Sequence, residues 1–130
     1  MSLTVTPELL REAERGPVDD QSFVDCVRES LPYAYAMVER LVAELPGAPA
    51  GYADNDVPPP DEQARGQLLR MIASDAMRGA VERRFGVRLA FQNCHRLAVF
   101  PPSALDSDAY REFVSPRAQL LNQSPALVNC

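Results

Sequence analysis

Residues 61–86, DEQARGQLLRMIASDAMRGAVERRFG, are the stretch that decides the fold of this chain. Between Leu68 and Val81, nine apolar side chains cover more than one stripe of a helix. A helix that is apolar around most of its circumference usually lies at the centre of a fold. Gly86 suits the position just past the helix, since glycine readily adopts the left-handed backbone found there. The stretch therefore predicts one long central helix from Asp61 to about Arg84.

Three shorter helices are expected before this stretch. Thr6-Pro7-Glu8 is a good helix start and Gly16 a good stop, which predicts a helix over residues 7–15. Asp19 or Asp20 caps a second helix, and Pro32 kinks this helix or restarts it as a third, which ends at Pro46-Gly47. The side chains expected to face inward are Leu9, Leu10 and Ala13 in the first helix, Phe23, Cys26, Val27 and Leu31 in the second, and Tyr33, Met37, Leu41 and Leu45 in the third.

After the central helix, two short segments are typical of a β-hairpin. Residues 87–91 and 96–100 alternate and are rich in β-branched or aromatic side chains. A two-residue loop would pair Phe91 with Arg96, whereas a three-residue loop pairs Phe91 with Leu97 and gathers the apolar side chains on one face. We prefer the three-residue loop, Asn93-Cys94-His95. A lone ribbon is barely stable, so it must lie on the helices or pair with another strand, which a symmetry-related subunit could supply.

Residues 46–60, rich in proline, glycine and aspartate, are expected to form a long irregular loop. Asp54-Asn55-Asp56 suggests a calcium loop, but the expected glycine is missing and Pro58 to Pro60 occupy positions that should turn back on the ion. A stiff spacer is the favoured interpretation. In the tail, Asp106 or Ser107, Ser115-Pro116 and Ser124-Pro125 each begin a capped turn. The predicted fold is mainly α with a small β-hairpin (α+β), a single compact domain over residues 1–130.

Composition and charge indicate which kinds of partner this chain could bind. All 13 basic residues are arginine, and the net charge is −5. Residues 1–62 hold 13 acidic and 4 basic side chains, whereas residues 63–100 hold 7 basic and 2 acidic ones. The basic part offers a candidate interaction surface, but docking against the acidic first half is the favoured interpretation, and nucleic acid is an unlikely partner of a net acidic chain. The arginines of the candidate surface are Arg78, Arg83, Arg84, Arg88 and Arg96.

Neither a secretory signal nor an apolar run of roughly 18 residues for a membrane span occurs, so we expect a cytoplasmic protein. Three cysteines are an odd number and indicate reduced thiols, with Cys26 packed and inert. The sequence has no phosphate-binding loop, no CxxC and no nucleophile elbow. We therefore expect neither a cofactor nor catalytic residues.

Two functional hypotheses remain. The first is a non-catalytic interaction domain that binds a protein partner or a second copy, as a homodimer, through an exposed helix face or the proline loop. The second is a thiol or metal site at the hairpin tip, where Cys94 and the chain's one histidine, His95, would be joined by Cys130 or by acids of residues 54–62. Two or three scattered ligands are weak evidence for zinc, which usually takes four.

A family resemblance covers the whole chain. It rests on residues 58–70 (PPPDEQARGQLLR), 84–96 (RFGVRLAFQNCHR) and 120–125 (LLNQSP). These stretches resemble a small family of short actinobacterial proteins with no assigned activity. The resemblance therefore implies no cofactor and no site residues, and it agrees with an arginine-only basic set and a cytoplasmic location.

Overall fold

Helices lie before, between and after the strands of a small antiparallel sheet in this chain, whose computed structural model describes residues 3–122. The predicted α+β class is confirmed. The described residues form α1 (Pro7–Arg15), α2 (Asp20–Ser30), α3 (Pro32–Glu44), β1 (Ala53–Asp54), α4 (Glu62–Ala73), α5 (Asp75–Phe85), β2 (Arg88–Gln92), β3 (Arg96–Phe100), α6 (Asp108–Phe113) and α7 (Pro116–Leu121).

The predicted single central helix is wrong, because the chain breaks at Ser74 into α4 and α5. Ser74 has an extended backbone, with φ −95° and ψ 116°. Its hydroxyl oxygen accepts a hydrogen bond from the backbone N–H of Met77 at 3.1 Å. Serine favours such a cap over a helix interior, since its side chain competes for backbone hydrogen bonds. Asp75 follows in the first turn of α5, where the helix dipole favours a negative charge.

Most of the other predicted helix boundaries are confirmed. Thr6 caps α1, Asp19 caps α2, and Asp61 caps α4 with its carboxylate. In the tail, Ser107 rather than Asp106 caps α6, and Ser115 caps α7 ahead of Pro116. Gly86 ends α5 at φ 65°, in the left-handed region predicted for it. Ser124-Pro125 lies outside the described residues.

The hairpin has the predicted three-residue loop and register. Phe91 lies opposite Leu97, and Leu89 lies opposite Val99. The long segment before the central helices is not irregular throughout, because residues 53–54 form β1 and pair with β3. Prolines flank this part of the segment but leave residues 50–57 free of them, so its backbone can join a ladder. The sheet order is β1-β3-β2, and the third strand comes from the same chain.

Both faces of the sheet are covered. On one face Leu89, Leu97 and Val99 join the buried residues of α2 to α5, which together form the main core. On the other face a smaller cluster centres on Phe100, which Tyr52 stacks on at 4.6 Å between ring centroids. Phe113 of α6 packs edge-on against Phe100 at 5.8 Å. The predicted inward stripes of α2 and α3 lie in or against the main core, with Val27, Leu31 and Leu41 fully buried. Cys26 is the exception, since it is buried outside this core, near the carbonyl oxygen of Thr4.

Candidate functional site

The hairpin tip is buried rather than presented to solvent. Cys94 is 4% exposed and His95 is 3% exposed. Cys94 is disulfide-bonded, so the expectation of reduced thiols is wrong at this position. Cys26, the free cysteine of the described part of the chain, is buried, and its sulfur lies 3.5 Å from the carbonyl oxygen of Thr4. Cys130 lies outside the described residues.

His95 is held in a setting that favours its neutral form. Burial lowers the pKa of His95, and the positive charges of Arg96 and Arg65 lower it further. Its Nδ1 atom has no hydrogen-bond partner within residues 3–122. Over the same residues, no three histidine, cysteine or carboxylate side chains lie close enough together to hold a metal ion.

Asn55 joins the proline-rich segment to the hairpin. Its Oδ1 accepts a hydrogen bond from the backbone N–H of Leu97 at 2.7 Å, and its Nδ2 donates to the carbonyl of His95 at 2.8 Å. The neighbouring Asp54 accepts a hydrogen bond from Arg96 Nε at 2.8 Å. The side chains of Asp54 and Asn55 therefore extend the pairing of β1 with β3.

Ion pairs engage most of the candidate arginine surface. Arg83 bonds Asp20 at 2.7 Å, and this contact lowers the pKa of the Asp20 carboxyl. Arg96 binds Asp54, so two arginines of the basic part reach acids of the first half, as the favoured interpretation predicted. Two more pair locally, Arg78 with Asp75 and Arg88 with Glu82, while Arg84 lies over the ring of Phe85. The five arginines do not form an uncompensated basic patch.

Helix α1 is the element that departs most from the sequence prediction. Leu9, Leu10 and Ala13 were expected inward, yet none of the nine residues of α1 is buried. Leu9 is half-buried, Ala13 is exposed, and Leu10 is 53% exposed. Five of the nine side chains are charged, which leaves the helix little apolar surface to bury. That charge content is the sequence signal that would have indicated an exposed helix.

The start of α1 is nevertheless well defined. The Thr6 hydroxyl accepts a hydrogen bond from the backbone N–H of Leu9 at 3.1 Å. Just before it, the backbone N–H of Thr4 donates to the Ser30 hydroxyl at 2.9 Å. These two contacts cap the helix and tie its leading segment to the end of α2.

A groove of about 250 Å³ lies between α1 and α2. Its walls carry four carboxylates, and Leu9 and Cys26 add apolar surface. Two of the carboxylates have exposed arginine partners on their own helices, Glu8 with Arg11 and Asp25 with Arg28. The four carboxylates are those of Glu8, Glu12, Asp25 and Glu29.

These features define a small α+β domain with an exposed, charged amphipathic helix near its N-terminus. No helix in the described residues combines the length and apolar character needed to cross a bilayer. The chain belongs to the family described as NucS shadow ORF, whose model matches residues 1–130. No curated protein and no solved structure matches the chain.

Proposed function

We propose that this chain is a single, non-catalytic protein-interaction domain that binds a basic partner through α1 and the acidic groove beside it. The observation that carries the proposal is that α1 is capped and anchored yet buries none of its residues. A helix of this length is marginal in water by itself. An apolar surface that covered Leu10 would stabilise it.

Charge supports a basic partner over a second copy of the chain. The groove carries four carboxylates, and residues 1–62 have 13 acidic against 4 basic side chains. Two such surfaces would repel each other, while a lysine- or arginine-rich segment would be attracted. Five of the seven arginines in the chain's own basic part are in ion pairs. A homodimer through α1 is therefore the less favoured form of the same proposal.

The experiment uses a labelled amphipathic peptide of about 18 residues, with leucines along one helical face and lysines elsewhere. Its control has glutamate in place of every lysine. Fluorescence anisotropy with purified protein should show binding of the basic peptide only, weakening as salt is raised. Equal binding of both peptides, or of neither, would contradict the proposal.

Two pairs of matched variants test which residues of the chain contact the peptide. Leu10→Ala in α1 should weaken peptide binding about tenfold, whereas Leu69→Ala, a partly exposed leucine of α4, should leave it unchanged. Glu12→Gln in the groove should likewise weaken peptide binding. Its control is Glu39→Gln, which replaces an exposed acid of α3 and should leave binding unchanged. Loss of binding in the control variants but not in the α1 variants would place the contact elsewhere.

The thiol or metal site at Cys94, His95 and Cys130 is the competing hypothesis, and the disulfide at Cys94 weighs against it. Metal analysis of purified protein decides between the two. Stoichiometric metal that disappears in His95→Ala would favour the competing hypothesis. Light scattering on the same sample tests the homodimer.

We infer from the family description, NucS shadow ORF, that this reading frame overlaps the gene for NucS. The proposal therefore requires that the frame be translated. Targeted mass spectrometry can seek the tryptic peptide of residues 29–40 in cells, with a stop codon that is silent in the overlapping frame as control.

We also propose a source organism group and a cellular location for this chain. The arginine-only basic set and the family resemblance support an actinobacterial source. A cytoplasmic location is part of the proposal, and the disulfide at Cys94 weighs against it because the cytosol keeps most thiols reduced. Fractionation of cells expressing the chain tests the location.

A further inference from the structure

A second groove, remote from α1 in sequence, lies on the aromatic side of the sheet. It has a volume of about 430 Å³, within the range of small-molecule sites. Its walls come from residues 50–52, from the hairpin, and from α6 and α7. Much of the wall is apolar, contributed by Ala50, Tyr52, Ala109, Phe113, Ala118 and Leu121.

Gln92 and Asn122 are the buried polar residues of this groove among the described residues, and Asn122 Nδ2 donates a hydrogen bond to the carbonyl of Asn93 at 3.0 Å. Gln92 is the one with an unpaired atom. It is 2% exposed, and its Nε2 donates a hydrogen bond to the carbonyl of Phe113 at 3.0 Å. That bond fixes the amide so that Oε1 is directed away from the Phe113 carbonyl. Gln92 Oε1 has no hydrogen-bond partner among the described residues. A buried acceptor without a donor is costly, so a ligand N–H or O–H that reached it would be bound favourably.

The charges around the groove indicate an uncharged ligand. Arg96 is the basic residue of the wall, and its guanidinium is engaged by Asp54 and lies 5.2 Å from the centre of the Phe113 ring. Glu112 pairs with Arg117. With both charged groups of the wall already paired, a charged ligand would gain little from them and would lose its hydration.

Together, the unpaired acceptor, the aromatic wall and the paired charges define the ligand class. The geometry points to a binding site for a small, uncharged, planar aromatic molecule that donates one hydrogen bond to Gln92 Oε1. Its ring lies against Tyr52 and Phe113. This site is separate from the proposed α1 surface and does not depend on it.

Indole and 1-methylindole test the site, because the two probes differ in the single N–H donor. Binding to the full chain is followed by the amide NMR shifts of Tyr52, Ala109 and Ala118. Indole should shift these signals and bind about tenfold more tightly than 1-methylindole, the difference expected for one hydrogen bond to a buried acceptor. Equal affinity of the two probes, or shifts confined to other residues, would overturn the proposal.

Two variants test whether Gln92 is the residue that accepts the hydrogen bond from indole. Gln92→Met removes the acceptor at similar volume, and the two probes should then bind equally. Gln63→Met, an exposed glutamine of α4, should bind both as the parent chain does. If Gln92→Met does not fold, the comparison of the two probes on the parent chain still decides.

Discussion

The side-chain oxygen of Gln67 accepts a hydrogen bond from the backbone N–H of Tyr33 at 2.7 Å and a second from that of Ala34 at 3.2 Å. These N–H groups open α3, whose N-cap residue, Leu31, supplies no side-chain cap. A buried glutamine of α4 thus caps a helix that lies more than thirty residues earlier in the chain. This contact links two helices of the main core.

Replacing Gln67 by methionine should lower the free energy of unfolding by about 1–3 kcal/mol, because two buried N–H groups lose their acceptor. Urea unfolding followed by circular dichroism measures the change. The exposed Gln63→Met is the control and should differ from the parent by less than about 0.5 kcal/mol. Equal stability of the two variants would show that Gln67 does not cap α3.

Asn55→Ala should also destabilise the fold by about 1–3 kcal/mol, since the Leu97 N–H and the His95 carbonyl would both lose their partner. Hydrogen exchange at the Leu97 amide reports the contact directly, and it should become faster in the variant. Asp56→Ala, at an exposed neighbouring position, is the control. Unchanged protection of Leu97 would contradict the role given to Asn55.

Stability should fall on mild acidification because of His95. Its pKa is lowered in the folded chain, so the unfolded chain takes up a proton first as pH falls through about 6.5. The loss begins there and is complete below the lowered folded pKa. Urea midpoints at about pH 7.5 and 5.5 should differ more for the parent chain than for His95→Gln. An equal pH dependence in both proteins would rule out this assignment to the chain's one histidine.

Counting thiols in denatured, unreduced protein tests the cysteine assignment. Cys94→Ser should show one thiol per chain more than the parent, since breaking the disulfide releases the sulfur bonded to Cys94. Cys26→Ser should show one fewer, because Cys26 is free. If Cys94→Ser instead loses a thiol, Cys94 is reduced in the parent and the thiol hypothesis regains support.

Features encoded within a few residues of sequence could be predicted. The caps at Thr6, Asp19 and Ser115 and the hairpin register all depend on local side-chain chemistry or on strand alternation. The break at Ser74 was also local, but the apolar pattern continues across it and masked the serine cap. Helical periodicity alone does not distinguish one long helix from two that pack on the same core.

Features that join distant residues could not be predicted. Gln67 and Asn55 bind backbone groups 33 to 42 positions away, and no periodicity records such a contact. Strand β1 has only two residues and takes its place through pairing with β3. For the candidate site, the helix α1 was predicted, but the inward face expected from Leu9, Leu10 and Ala13 was wrong because five charged side chains leave the helix little apolar surface to bury.

We propose that the partner binds to the exposed face of α1, and the ratio of two dissociation constants is the decisive test. Anisotropy titration of the basic peptide gives dissociation constants for Leu10→Ala and for Leu69→Ala. We expect the dissociation constant of Leu10→Ala to be about ten times that of Leu69→Ala, which should equal the value of the parent chain. A ratio near one would show that α1 does not contact the partner.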